Sequence, residues 1–257
     1  MSADATIAGD RGPGRFATTR WSLILTYANS ETPTETARHA LTELCRTYWR
    51  PIFEFLCRRG YSVPDAQDLA QDFFLMIIEG NLLSVAHPNR GRFRSLLLKS
   101  LQNFLNDNYD RSRAAKRGGG KEFVPWHDWM AESPSQFSTS FQRQGNWTPE
   151  KAFDVRWAVT VTEQALRRLA DECENCGRRR IFNTLSKYLM TERGEVSYVK
   201  LSLSLGVPER SVKQLLHHFR ARYRSILRDE ISQTVETAAD VDDETRYLCE
   251  VLASSGA

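Results

Sequence analysis

The segment from Ser62 to Gly80, SVPDAQDLAQDFFLMIIEG, constrains the fold most strongly, because it places an apolar and an acidic surface on one short predicted helix. Ser62 and Asp65 have the spacing of a capping box, and Pro64 suits a first helical turn. One stripe at helical spacing is apolar, comprising Leu69, Phe73, Met76 and Ile77, and another is acidic, comprising Asp65, Asp68 and Asp72. The apolar stripe needs a core. The acidic stripe is either a solvated face or a contact for a basic partner.

The composition is that of a globular protein. Of 257 residues, 41% are hydrophobic and 26% charged, and the formal net charge is only +3. The charge is segregated, since basic residues crowd two internal stretches and the region after Glu230 is acidic. Five scattered cysteines, with no signal peptide and no apolar run of membrane-spanning length, predict a reducing, cytoplasmic location without membrane insertion. Cys173 and Cys176 form a lone CxxC, which predicts a solvent-facing pair at a helix end rather than a metal site.

Helical periodicity recurs along the chain, and the predicted fold class is all-α, with two helical domains joined by a long linker. A helix is expected from about Thr34 to Arg59, ending at Gly60. The predicted divisions are a flexible N-terminus at 1–17, a first domain at 18–117, a linker at 118–150, a second domain at 151–231 and an acidic tail at 232–257. Within the second domain, helical patterning is expected to resume at Phe153 and run to about Ala170.

The stretch 87–120 combines a helical apolar stripe with a dense positive surface. Its apolar residues are Phe93, Leu96, Leu97, Leu101, Phe104 and Leu105, and its basic residues are Arg90, Arg92, Arg94, Lys99, Arg111, Arg113, Lys116 and Arg117. Only Asp107 and Asp110 oppose them. Asn103 and Tyr109 lie beside the cations and can hydrogen-bond to bases or stack on them. The stretch therefore indicates a nucleic-acid contact, with a solvated basic face as the alternative.

Two helices that meet at Gly206 have the spacing of a helix-turn-helix. Ser202, a small residue, comes four positions before Gly206, and the apolar Val212 comes six after it. The second helix is expected to expose Arg210, Ser211, Lys213, Gln214 and His217, followed by Arg220, Arg222, Arg224 and Arg228 at positions suited to phosphates. A helical hairpin with a solvated basic side is the alternative.

The tail is acidic at Asp240, Asp242, Asp243 and Glu244, and a short helix carrying Tyr247, Leu248, Val251 and Leu252 is expected to follow. Two interpretations stay open from the residues. The tail is either solvated and without a role, or it folds back on a basic surface.

In this order the parts resemble a bacterial sigma-70 family RNA polymerase sigma factor of the small extracytoplasmic-function (ECF) type. DAQDLAQDFF resembles region 2.2 of that family, RFRSLLLKSLQNFLND resembles regions 2.3 and 2.4, and YVKLSLSLGVPERSVKQLLHHFRARYR resembles region 4. The strings TRWSL, RGRFRS, KRGGG and VDDETRYL are similar to a subgroup common in planctomycete-like bacteria. Two residues depart from the pattern, since Ser95 stands where many members carry tryptophan and Ser202 replaces a common alanine.

The resemblance implies a transcription initiation factor that is not an enzyme and needs no cofactor. It implies docking on the β′ clamp helices of core RNA polymerase through Asp65, Asp68, Gln71 and Asp72. It implies melting and capture of the minus-10 strand through Arg92, Arg94, Lys99, Asn103, Asp107, Tyr109, Arg111 and Arg113. It implies reading of minus-35 duplex DNA through Arg210, Ser211, Lys213, Gln214, His217, Arg220 and Arg222. The other expected partners are the polymerase β flap and an anti-sigma factor or another regulator.

Two other functions stay open from the residues alone. One is a stand-alone helix-turn-helix regulator, which would bind duplex DNA without polymerase and would leave the acidic helix without a role. The other is a nucleic-acid enzyme with Asp65, Asp68 and Asp72 as metal ligands. Those carboxylates spread over about 10 Å of helix at about 1.5 Å per residue, which is too far to close on one ion unaided.

Overall fold

The computed structural model describes residues 35–78, 92–112, 147–191, 193–235 and 238–256, and the regular secondary structure in these ranges is entirely helical. The all-α class is thus confirmed for the part of the chain that is described. Its α-helices are α1 (Glu35–Arg58), α2 (Val63–Ile78), α3 (Phe93–Ser112), α4 (Pro149–Asn175), α5 (Arg179–Leu185), α6 (Tyr198–Leu205), α7 (Glu209–Ser232) and α8 (Ala238–Gly256). Two 3-10 turns, Ser186–Tyr188 and Arg193–Glu195, lie between α5 and α6. None of these helices is long and apolar enough to span a bilayer.

The start of α2 follows the predicted capping box. Ser62 Oγ accepts a hydrogen bond of 3.3 Å from the Asp65 N–H and donates one of 2.6 Å to Asp65 Oδ2. The first of these bonds satisfies a backbone donor that the first helical turn leaves free, and the second joins the two side chains, so the chain enters the helix at Val63.

Helix α4 is longer at both ends than predicted. It begins at Pro149 because the Thr148 side chain accepts a hydrogen bond of 3.2 Å from the Lys151 N–H, and proline fits the first turn. It continues to Asn175, since no helix breaker precedes Gly177, whose φ is 66°. The predicted N-terminal segment 1–17 and most of the predicted linker, residues 118–146, lie outside the described residues.

Helix α4 is the centre of the packing and contacts α1, α5, α7 and α8. It faces α1 with Phe153 and Trp157, which are fully buried. Polar bonds cross the same interface, since Arg50 and Glu163 form an ion pair of 3.2 Å and Gln164 Nε2 donates to Thr47 Oγ1 at 3.0 Å. The central helix of the second predicted domain therefore packs directly on the first.

The buried apolar side chains form one continuous core that extends from α1 to α8. Tyr48 of α1 illustrates the continuity: its ring stacks on Phe153 of α4 at a centroid distance of 6.4 Å and meets the edge of Phe93 of α3 at 5.3 Å. The described helices of the two predicted domains thus share a core.

The C-terminal helix α8 is larger than the short helix expected in the tail. It spans 19 residues and includes the acidic stretch. Val241, Leu248 and Val251 are buried, and the helix packs on α4 and α7. Of the two interpretations of the tail, the structure supports the one in which it folds back.

Candidate functional site

The acidic face of α2 is displayed as predicted. Asp65, Asp68 and Asp72 are exposed and Gln71 is half-buried, while the opposite face buries the side chains Ala66, Ala70, Phe73 and Ile77. Partial burial of its carboxyl and the nearby Asp68 carboxylate raise the pKa of Asp72. Within the described residues, neither Asp68 nor Asp72 is paired with a cation. Among the described residues, this face therefore concentrates negative charge that no cation compensates.

The described residues contain no group of three or more histidine, cysteine or acidic side chains arranged to hold a metal ion. Asp65, Asp68 and Asp72 all belong to the described residues, and they do not form such a group there. The lone CxxC lies at the C-terminal end of α4, as predicted. Cys176 is exposed and Cys173 half-buried, and both are free thiols.

The basic surface predicted on α3 divides into two parts. Lys99, Asn103 and Asp107 are exposed along the helix. Arg92, at the start of the helix, is partly exposed, and its Nε lies 2.9 Å from Glu244 Oε2 on α8. The side chains of Tyr109 and Arg111, and the whole of Arg113, lie outside the described residues.

Arg94 differs from its prediction, because only 8% of its side chain is exposed. Its Nε donates to Glu244 Oε1 at 3.0 Å, and its Nη1 is paired with Asp154 of α4. The guanidinium carbon lies 4.9 Å from the ring centroid of Trp157 and 4.4 Å from that of Tyr247. A planar guanidinium pairs with carboxylates and stacks on aromatic faces, which explains the burial. The prediction that Arg94 offers its side chain to DNA does not hold in this conformation.

The electrostatics around Arg94 favour the charged pair. Burial opposes the positive charge, but the bonds to Glu244 and Asp154 outweigh it and raise the pKa of Arg94 further above its usual range. Tyr247 donates its hydroxyl to Asp154 Oδ2 at 2.6 Å, and burial together with that bond raises the pKa of Tyr247 to about 12. The neutral phenol therefore remains a donor throughout the physiological range.

Sequence reasoning did not assign a role to Glu244, Asp154 or Tyr247. Glu244 and Arg94 are 150 positions apart in the chain, and periodicity carries no information at that separation. The available signal was the juxtaposition of an acidic tail with a basic stretch, which predicted contact in general but no pairing.

The helix-turn-helix geometry agrees with the predicted spacing. Gly206 ends α6 with a left-handed φ of 72°, which glycine adopts readily, and Val212 of α7 is fully buried beneath the turn. Arg210, Lys213, Gln214 and His217 are exposed on α7, and Ser211 is half-buried. Lys213 lies 3.3 Å from Glu209 and 5.2 Å from the ring centroid of Tyr198. These side chains form one polar face that an incoming helix or groove can meet.

Two arginines predicted to contact DNA have intramolecular partners. The Arg220 guanidinium donates to the Tyr188 carbonyl at 2.6 and 3.1 Å and to the Thr191 carbonyl at 2.5 Å, so it holds the segment between α5 and α6. Arg222 donates to both carboxylate oxygens of Glu172 on α4, at 2.8 and 2.6 Å. That hydrogen bond lowers the pKa of Glu172. Arg220 has a structural role, whereas Arg222 lies in an exposed ion pair with Glu172.

The fold and these surfaces define an all-helical chain, within its described residues, that carries a helix-turn-helix and a separate acidic helix face. Comparison with protein-family models, curated proteins and solved structures finds no match to this chain.

Proposed function

We propose that the chain is a sigma-type transcription initiation factor, which binds core RNA polymerase and directs it to promoters by recognising minus-35 duplex DNA and capturing the minus-10 strand. One observation carries the proposal: a single chain exposes an acidic helix face on α2 and a polar, basic reading face on α7. A protein that only binds duplex DNA gains nothing from the acidic face, because phosphates repel carboxylates.

The acidic face of α2 suits a basic helical partner such as the β′ clamp helices. Asp65, Asp68 and Asp72 align along one side of the helix, so several cations on a facing helix can pair with them at once. The apolar face of α2 is anchored in the core by Phe73, Phe74 and Ile77, which holds the carboxylates on a rigid element.

The exposed face of α7 suits base reading in a major groove. Arg210 can bond to guanine through two donors, and Gln214 can pair with adenine through its amide. Lys213 and His217 lie on the same exposed face. Lys99 and Asn103 on α3 supply the charge and hydrogen bonding that a captured single strand requires.

Charge reversal on α2 tests the proposal. Asp68→Lys combined with Asp72→Lys should abolish capture of core RNA polymerase in a pull-down, while circular dichroism shows an unchanged helical fold. The matched control, Asp171→Lys with Glu195→Lys, makes the same charge change at two other exposed acids and should capture polymerase like the wild type. Polymerase capture by the α2 double variant at the wild-type level would refute the assignment of the docking face.

The same experiment distinguishes the proposed function from the alternative, a stand-alone helix-turn-helix regulator. That alternative predicts no capture of polymerase by any variant and specific binding of duplex DNA by all of them. Transcription from a promoter library with reconstituted holoenzyme then identifies the elements that the chain reads.

A further inference from the structure

Side chains at the N-terminal end of α3 pair with residues of two helices from distant parts of the chain, α4 and α8. Arg94 bonds to Glu244 of α8 and Asp154 of α4, and Arg92 pairs with the same Glu244. The ring of Tyr247 lies 5.9 Å from the Arg92 guanidinium and 4.4 Å from that of Arg94, and its hydroxyl bonds to Asp154. We call this group of five side chains the clasp; its members are Arg92, Arg94, Asp154, Glu244 and Tyr247.

We propose that the clasp is an autoinhibitory contact, in which α8 and α4 occupy arginines that α3 offers to nucleic acid when the contact opens. This inference rests on the proposed function, because it assigns a regulation to the minus-10 surface. Carboxylates and phosphates present similar charged acceptors to a guanidinium. Glu244 and Asp154 therefore hold positions that DNA phosphates take in the open form.

The packed arrangement is too compact for a factor that contacts both promoter elements. The minus-35 and minus-10 elements are named for positions that differ by about 25 base pairs, which corresponds to about 85 Å at about 3.4 Å per base pair. A single compact core has a radius of gyration well below that separation. Since α4 packs on α1 through Arg50 and Glu163, the two readers belong to one core here. Opening of the clasp alone frees Arg92 and Arg94, whereas simultaneous contact with both elements also requires the apolar α1–α4 interface to separate.

The chemistry of the clasp suits a contact that exchanges. Desolvation of buried charges offsets much of their attraction, so an ion-pair interface holds helices less firmly than a well-packed apolar one. Glu244 is 1% exposed, whereas the side chain of Arg92 is 33% exposed. A phosphate can reach Arg92 from solvent first and then displace Glu244 from Arg94.

Glu244→Gln tests the clasp, because it preserves the side-chain shape and removes the charge shared by both arginines. In the full chain, we expect fluorescently labelled oligo(dT) of about 20 nucleotides to bind about tenfold more tightly. Asp243→Asn is the matched control, since it makes the same charge change on α8 at an exposed residue paired with Arg246. Adding Arg92→Ala to Glu244→Gln should remove most of the gain.

Equal oligo(dT) affinity in folded Glu244→Gln and Asp243→Asn would overturn the clasp, and so would a loss of affinity, which assigns these residues a structural role only. If Glu244→Gln loses its helical signal in circular dichroism, Tyr247→Phe is used instead, because it keeps the ring and removes the bond to Asp154. A gain in oligo(dT) affinity in Tyr247→Phe would then support the clasp, and no gain would overturn it. Core polymerase capture keeps the two proposals apart. If the chain captures core polymerase but Glu244→Gln shows no gain in oligo(dT) affinity, the clasp alone is refuted. If Glu244→Gln shows the gain but no variant captures polymerase, the sigma-type function alone is refuted.

Discussion

The hydroxyl of Ser202 donates a hydrogen bond of 2.6 Å to the backbone carbonyl of Val207, across the turn that joins α6 to α7. The Ser202 carbonyl accepts from the N–H groups of Gly206, at 2.9 Å, and Val207, at 3.3 Å. One residue therefore closes the turn through both its backbone and its side chain. Its hydroxyl gives the helix-turn-helix a bond that an alanine at this position cannot make.

Ser202→Ala should lower the free energy of unfolding by about 0.5 to 1 kcal/mol. The lost hydrogen bond is worth about 1 kcal/mol, and the higher helix propensity of alanine recovers part of it. Ser204→Ala is the control, since Ser204 is exposed on the same helix and gains the same propensity. Urea denaturation measures both. A Ser202→Ala protein as stable as Ser204→Ala would contradict the role given to the hydroxyl.

Gly206→Ala should cost about 1 to 2 kcal/mol of stability, because φ at this position is 72° and a Cβ disfavours the left-handed region. A Cβ would meet no atom within 4 Å, so the penalty comes from the backbone alone. Gly194 also has free space around a Cβ but no left-handed φ. Gly194→Ala should therefore leave the melting temperature unchanged or raise it slightly, and equal losses in both variants would contradict the argument.

Local pattern was sufficient to predict most of the described helices and the helix-turn-helix. The capping box at Ser62, the apolar stripe of α2 and the Gly206 spacing all depend on residues within one or two helical turns of each other. The same reasoning predicted the exposed acidic face correctly, because a helix with a buried apolar side must present its other side to solvent. Sequence reasoning missed Thr148 as a helix start, since polar residues surround it in the predicted linker.

The local sequence pattern could not predict which side chains pair across distant parts of the chain. An arginine on the polar side of a helix has the same sequence signature whether it meets water, a phosphate or a buried carboxylate, so Arg94 was assigned to DNA. The burial of Glu244 follows from the docking of α8 on α4 and α7, which depends on apolar residues far apart in the chain. Arg220 and Arg222 illustrate the same limit, since their partners belong to other helices and connecting segments.

Arg220→Ala should destabilise the helix-turn-helix rather than alter its base preference. Its guanidinium satisfies two backbone carbonyls, at Tyr188 and Thr191, and a charged hydrogen bond is worth about 1.5 to 3 kcal/mol. Duplex affinity should fall alike for all sequences, in parallel with the melting temperature. Arg210→Ala is the contrasting variant, because its exposed side chain should affect specificity at one base pair by about 1 to 3 kcal/mol without changing stability. A specificity change in Arg220→Ala at full stability would contradict this division.

Asp72→Asn should stabilise the fold while weakening the capture of core polymerase. The raised pKa means that folding favours the neutral carboxyl, so the charged form costs stability as pH rises from the usual aspartate pKa through the raised value. Relief of the repulsion from Asp68 should contribute about 0.2 to 0.5 kcal/mol at pH 7 and nothing in acid, where both carboxyls are protonated. Urea denaturation of Asp72→Asn and of the wild type, at pH 7 and in acid, measures the difference. An Asp72→Asn protein less stable than the wild type at pH 7 would contradict the electrostatic account of this face.

Glu172→Gln should increase duplex DNA affinity by releasing Arg222. The pair is exposed, so its loss should change stability by no more than about 1 kcal/mol. The freed guanidinium adds one phosphate contact, which should steepen the dependence of log affinity on log salt concentration by about one unit. Because the pKa of Glu172 is lowered in the folded state, the stability from this pair is present above the usual glutamate pKa and is lost as pH falls through the lowered value. Asp171→Asn, an exposed acid on the same helix, controls for net charge, and an equal salt slope in the two variants would show that Arg222 does not reach DNA.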